Sequence, residues 1–187
     1  LLYVVSGCRR GEPLAAVWAD FDLEAGRWVI QRSLGLIRGA MTVGAPKSRR
    51  PRVVALDAMT IVELRAHRAR QNEERLAWGP VYQDSSLVFC REDGTMLHPD
   101  TVWRRFGRIA ETAALPRIRL HDVRHSAVTA MLRSGVGVKV VAERVGHAST
   151  SFTQDVYAWV LPDMQQDAAK RMAAAVEPRD GVTQDLR

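Results

Sequence analysis

HDVRHSAVTAMLRSGVGVKVVAERVGHASTSFTQDVY, residues His121 to Tyr157, is the stretch on which the reading of the whole chain turns. At helical spacing Val123, Ala127, Ala130 and Met131 fall on one broad apolar face, and Arg124 falls inside that arc. An inward-facing guanidinium needs an anion. His121 stands on the same side of the first turn as Arg124, and Asp122 is placed to cap the free amides of the helix. Gly135 and Gly137 break the chain, after which Val138, Val141, Ala142 and Val145 recur at the spacing of a short amphipathic helix. Gly146 closes that helix and His147 follows it directly. Ser149 is placed to cap a further helix with Phe152, Val156, Trp159 and Val160 as its apolar stripe and Pro162 as its end. Tyr157 lies on the flank of that stripe, free to face a groove.

Together, His121-Asp122-Val123-Arg124, Gly146-His147 and a tyrosine at position 157 resemble the signature of the tyrosine recombinase (phage integrase) family: H-x-x-R, G-H and a nucleophilic tyrosine shortly after that histidine. The resemblance implies a catalytic domain over residues 1–175, followed by a flexible C-terminal tail at 176–187. It also directs attention upstream. Ser6-Gly7-Cys8-Arg9-Arg10-Gly11-Glu12 resembles the family's T-G-x-R-x-x-E with Ser for Thr, which implies Arg9 as a catalytic arginine and Glu12 as the carboxylate that orients it.

Leu1 to Val5 reads as the end of a core helix, turned by Ser6-Gly7. Pro13 suits the first position of a helix with Leu14, Val17, Trp18 and Phe21 pointing inward. From residue 22 to 56 the period changes to that of strands. Trp28, Ile30 and Arg32 alternate with Val29 and Gln31, Met41 to Val43 is a second run and Arg52 to Leu56 a third, which predicts a small three-stranded antiparallel sheet. A basic turn, Pro46-Lys47-Ser48-Arg49-Arg50-Pro51, precedes the last run, and Lys47-Ser48 resembles the family's Lys-Thr, implying Lys47 as a catalytic lysine. Asp57 caps a long helix running toward Trp78 whose mixed charges suit a solvated surface. Asp100 is placed to cap a helix through Trp103, Phe106 and Ile109. Its arginines, that of its exit and those of the basic turn at 46–51 suit a DNA backbone; Arg49, Arg50, Arg104, Arg105 and Arg119 are the candidates. The fold class expected is α+β, mainly α-helical.

Charge and cysteine usage are consistent with this reading. The formal net charge is +6 and the pI near 10.0, a balance that suits a polyanionic partner. Only Lys47, Lys139 and Lys170 among the 27 basic residues are lysines, a bias expected of a GC-rich bacterial source. Cys8 and Cys90 form no CxxC pair, so neither a disulfide framework nor a zinc knuckle is expected, and a reducing cytoplasm is. No apolar run approaches the roughly 18 residues of a membrane span. An apolar segment at the first residue, without an initiator Met, suggests a C-terminal domain of a longer protein.

The chemistry implied by the resemblance is DNA strand cleavage and religation without metal, ATP or other cofactor. Charge growing on the phosphorane oxygens would be met by the guanidinium forks of Arg9 and Arg124. His147 and His121 would hydrogen-bond that phosphate or handle the proton of the nucleophile, and Tyr157 would attack to leave a 3′-phosphotyrosyl link and a free 5′-hydroxyl. The implied partner is double-stranded DNA at a specific recombination site, engaged by a homotetramer in the bacterial cytoplasm and, when bound, on the nucleoid. Two other readings stay open: a cleavage-dead DNA-binding remnant, and a metal-dependent hydrolase in which His121 and His125, at i and i+4, join His147 around zinc.

Overall fold

The computed structural model describes residues 1–147 and 168–176. The anticipated helix through Phe152 and Trp159, and with it Tyr157, lies outside the described residues.

The chain opens with α1 (Leu2–Ser6), which Gly7 ends in the left-handed conformation at φ 59°. A side chain there would also collide, since a Cβ would stand 2.9 Å from Val145 Cγ1, so the turn after α1 requires glycine twice over. The next helix, α2 (Gly11–Leu14), is much shorter than the sequence suggests. Instead of continuing through Phe21, the backbone leaves the helix. Trp18 N–H donates to Ser86 O at 3.0 Å and Val88 N–H to Ala16 O at 2.9 Å, bridging the segment to 86–88. Pairing with a distant strand thus overrides local helical periodicity. Trp18–Asp20 form a 3₁₀ turn and Phe21 enters a strand.

The sheet has three strands, as expected, but a different membership. Its order is β1 (Phe21–Asp22), β2 (Arg27–Ile30) and β5 (Arg52–Ala55), all antiparallel. The run Met41–Val43 belongs to a separate ribbon of β3 (Ser33–Ile37) and β4 (Ala40–Gly44), paired Leu34 to Val43 and Ile37 to Ala40. Its turn is Arg38-Gly39, both at positive φ (51° and 81°), the conformation that matches the twist of a tight hairpin. Phe21 stacks on Trp28 at 5.3 Å, and Trp28, Ile30, Val54 and Leu56 face a core shared with Leu2, Leu64 and Val88.

Asp57 caps α3 (Ala58–Trp78) as expected, accepting the Thr60 N–H at 2.9 Å. The helix is mostly solvated, but it is anchored by Leu64 and by Gln71, whose Oε1 accepts Trp18 Nε1–H at 2.6 Å. The cap of α4 (Pro99–Thr112) is His98, not Asp100: Pro99 occupies the first helical position, and His98 Nδ1 accepts the Asp100 N–H at 3.3 Å. Trp103 and Ile109 are exposed, at 42% and 66%, so they are not the buried stripe; Pro99 and Ala110 are buried, and Val102 packs against Leu14, Ala15 and Leu34.

Helix α5 (Leu120–Arg133) and helix α6 (Val138–Val145) form a hairpin whose core is Val128, Leu132, Val141 and Val145. Each of these fully buried aliphatic side chains contributes about 1.5–3 kcal/mol by leaving water. The inward face of α5 is Val123, Arg124, Ala127, Val128 and Leu132, while Ala130 is exposed. Asp122 caps the start of α5 from the third helical position rather than as the N-cap residue. Arg119 is the N-cap residue, and the Asp122 carboxylate reaches back to accept its N–H at 2.8 Å and its guanidinium at 3.0 Å. Helix α5 packs on α1 and α6 packs on β5, and Arg144 Nη2 donates to Val5 O at 3.0 Å, which holds α6 against the start of the chain as well. Residues 168–176 are helical. No helix among the described residues is long and apolar enough to cross a membrane.

Candidate active site

The site assembles where α1 ends, α5 begins and α6 ends. Arg9 leaves the turn after α1, and its Nη2 donates to the Gly146 carbonyl at 2.7 Å. Its backbone N–H and Nη1 both donate to Glu12, at 2.7 and 3.3 Å. Arg124 projects inward from α5, 5% exposed, and Nη1 donates to the Gly7 carbonyl. Its Nη2 is buried and has no hydrogen-bond partner among the described residues. Among the described residues no carboxylate answers that inward Nη2. Burial, then the charges of Arg9 and Arg52, pull the Arg124 guanidinium down to about 10, which still leaves it charged at neutral pH.

His147 is delivered by the end of α6. Gly146 turns left-handed at φ 69°, and the His147 N–H closes back on Ala142 O at 2.9 Å. The imidazole is half-buried and sits near Arg124, Arg9 and Arg52; burial first, then those guanidinium charges, pull it down to about 4. His121 is also lowered, by burial and then by His125 and Arg124. Both imidazoles are thus neutral at pH 7, the form of the ring that can act as a proton acceptor.

Arg9, His121 and Arg124 line a cleft of about 350 Å³, together with Cys8, Arg10, Trp103, Arg119 and Leu120. Its charged residues are all cationic or potentially so, and an anion with several oxygens is the ligand this chemistry accepts. Cys8 is no rival nucleophile, because burial pushes its thiol up to about 12. The described tyrosines are also poorly placed. Tyr3 Oη–H donates to the Arg10 carbonyl at 2.9 Å and burial raises its pKa further, while Tyr82 is pushed up to about 12 by burial and by Cys90.

Lys47 is exposed in the turn before β5, and its ammonium makes no hydrogen bond or ion pair among the described residues. Arg49 and Arg50 share that exposed turn, Arg104 and Arg105 are exposed on α4, and Arg119 is ion-paired with Asp122. The rings of His121 and His125 meet edge-to-face at 4.7 Å. Among the described residues no three His, Cys, Asp or Glu side chains gather closely enough to ligate a metal, and Arg124 stands beside the two histidines.

One contributor escaped the sequence reading. Arg52, at the start of β5, forms a two-pronged ion pair with Glu12, Nη1 to Oε1 at 2.9 Å and Nη2 to Oε2 at 2.7 Å, and donates from Nε to Arg144 O at 2.9 Å. Burial would raise the pKa of the Glu12 carboxyl, but Arg52 and then Arg9 outweigh it and hold the group below the ordinary carboxylate range. The signal was present in the period of the strand: Arg52 shares a face with the buried Val54 and Leu56.

The depressed His147 has a consequence for stability. Its folded value, about 4, lies below the unfolded value of 6.5, so folding favours the neutral ring. The contribution is present above the unfolded value and is lost as the pH falls from 6.5 toward 4. Thermal melts should therefore show His147→Gln losing less stability over that window than the unsubstituted chain; parallel curves would contradict the assignment.

This is the architecture of a mainly helical domain with a small antiparallel sheet and a polycationic cleft. The chain belongs to the phage integrase family, which matches over residues 1–163. A XerC-like tyrosine recombinase of Caldanaerobacter subterraneus subsp. tengcongensis is 30% identical over 185 residues, covering 92% of this chain and 47% of that protein. The tyrosine recombinase XerD of Mycobacterium leprae is 31% identical over 180 residues, covering 96% of this chain and 51% of that protein. Among solved structures, the Tn1549 transposon integrase in complex with transposon right end DNA shares the fold at a TM-score of 0.74 and 21% identity, over 92% of this chain and 57% of that one. The chain spans about half the length of the curated relatives it matches.

Proposed function

We propose that this chain is the catalytic part of a site-specific DNA recombinase or integrase, which cleaves and rejoins strands through a 3′-phosphotyrosyl intermediate. The observation that carries the reading is the buried Arg124 Nη2, which has no hydrogen-bond partner among the described residues, on a guanidinium that lines the same cleft as Arg9 and His121. A scissile phosphate there would supply the missing acceptor and fix both guanidinium groups on its non-bridging oxygens.

Tyr157 Oη attacks phosphorus, its proton passes to a neutral histidine, His147 or His121, and the bond to the 5′-oxygen breaks. That oxygen leaves as a hydroxyl after taking a proton from an acid, a role we assign to Lys47. Phenol is a good leaving group, so the reverse attack by a 5′-hydroxyl rejoins the strand without ATP. The partner is double-stranded DNA at a specific site, contacted by Arg49, Arg50, Arg104, Arg105 and Arg119, and engaged by a homotetramer in the bacterial cytoplasm, on the nucleoid. The Arg neighbours that flank His121 and His125 disfavour a metal-dependent hydrolase.

The test is a nicked suicide duplex, from which the severed strand diffuses away and religation is lost. In chelator, the chain should form a covalent protein-DNA adduct. Full binding without adduct would leave only the DNA-binding remnant, and activity lost on chelation would favour the hydrolase.

Lys47 has its own test. Arginine cannot readily give up a proton, so the lone lysine of the basic turn is the better acid for the leaving oxygen. Lys47→Ala should cleave ordinary DNA slowly, by about 10²-fold or more, and recover on a substrate whose leaving atom is sulfur, which needs no proton. Equal impairment on both would assign Lys47 to phosphate binding or to structure.

A further inference from the structure

We infer that Arg52 is a positioning residue for cleavage, acting on the scissile phosphate only through Glu12 and Arg9; this rests on the recombinase reading above. Arg52 does not line the cleft, and neither does Glu12. Both side chains are withdrawn behind it, with 9% of Arg52 and none of Glu12 exposed. Each Glu12 oxygen is shared: Oε1 accepts from Arg52 Nη1 and Arg9 Nη1, and Oε2 from Arg52 Nη2 and the Arg9 N–H. One carboxylate so held cannot rotate, and the Arg9 fork it carries is fixed between Glu12 and the Gly146 carbonyl.

The same guanidinium also packs against the end of α6. A Cβ on Gly146 would stand 2.8 Å from Arg52 Nη1 and 2.9 Å from its Cζ, so the glycine before His147 is the space that Arg52 fills. Arg52 Nε holds the Arg144 carbonyl in the last turn of α6. A single side chain from β5 therefore holds both supports of the Arg9 fork, Glu12 directly and the Gly146 carbonyl through the last turn of α6. Lysine would keep the charge and lose the fork.

Single-turnover cleavage of the nicked duplex should be measured for the unsubstituted chain, Arg52→Met, Arg9→Ala and the double variant. A misplaced Arg9 should slow Arg52→Met by about 10²-fold with DNA affinity unchanged. Because Arg52 works through Arg9, the double variant should be no slower than Arg9→Ala alone. Should Arg52→Met fail to fold with Glu12 left under-paired, Glu12→Gln combined with Arg52→Met removes the buried charge and should show the same slow cleavage. Cleavage at the original rate, or losses that multiply with those of Arg9→Ala, would overturn the inference while the unsubstituted chain still forms its adduct. If the unsubstituted chain forms none, the recombinase reading fails and takes the inference with it.

Discussion

Tyr157→Phe should abolish the covalent protein-DNA adduct while leaving the chain folded and bound to DNA. The substitution removes one hydroxyl and little packing, so stability should change by less than about 1 kcal/mol. DNA affinity should persist, because the arginines of the cleft, of α4 and of the turn before β5 remain. No other group should take over. Tyr3 and Tyr82 both have pKa values raised above that of an ordinary phenol, and the Cys8 thiol is pushed up to about 12 by burial. Adduct yield and melting temperature measured on the same preparation check the prediction. An adduct formed by Tyr157→Phe would contradict it.

Arg124→Lys should be nearly as damaging despite keeping a positive charge. The native guanidinium divides its work, with Nη1 on the Gly7 carbonyl and Nη2 left for an anion. A lysine ammonium is a single point of charge on a flexible stem and cannot hold both directions. Losing one fixed donor to a developing oxyanion costs about 10²–10³ in rate, and that is the expected fall in single-turnover cleavage. The variant should also acquire a pH dependence. Burial and neighbouring cations already pull Arg124 down to about 10, and a lysine, starting from a lower value, falls further in the same place. Its charge, and with it the residual cleavage, should decline as the pH is raised through neutrality and above. A rate close to that of the native chain would mean that charge alone suffices and that the fork is not used.

The parts of the fold that were legible in the sequence are those where local period and tertiary need agree. Helices α3 and α6 appear where their caps and apolar spacing put them, and Arg124 was recognisable because a charge sat on an apolar helical face. Legibility failed where a distant partner decided the outcome. The segment after Leu14 has helical spacing, yet residues 16–18 pair with 86–88, which no local pattern announces. Met41–Val43 was recognisable as a strand but not its partner, because Arg38-Gly39 makes a tight turn without the usual Asn or Asp. The misplaced cap of α4 was avoidable: a proline at the first helical position points to His98 before it.

Within the candidate site, the motif residues Arg9, Glu12, Arg124 and His147 do converge, and His121 shares the cleft wall. Arg52 was overlooked because it was read only as the first residue of the third strand run, with no face assigned to it. Alternation along β5 places it with Val54 and Leu56, and a charge on a buried strand face carries the same message as one on a buried helical face. Lys47 illustrates the opposite case. Its turn is where the sequence puts it, but the side chain is exposed there and the fold gives it no fixed position.

The most direct measurement is the covalent linkage itself. The adduct formed on a nicked suicide duplex in chelator can be digested and the modified peptide sequenced by mass spectrometry, with the polarity of the attached strand read from its free end. The account predicts one modified residue, Tyr157, joined to a 3′-phosphate, with a free 5′-hydroxyl on the released strand. A linkage on Tyr82, on a serine or to a 5′-phosphate would contradict it.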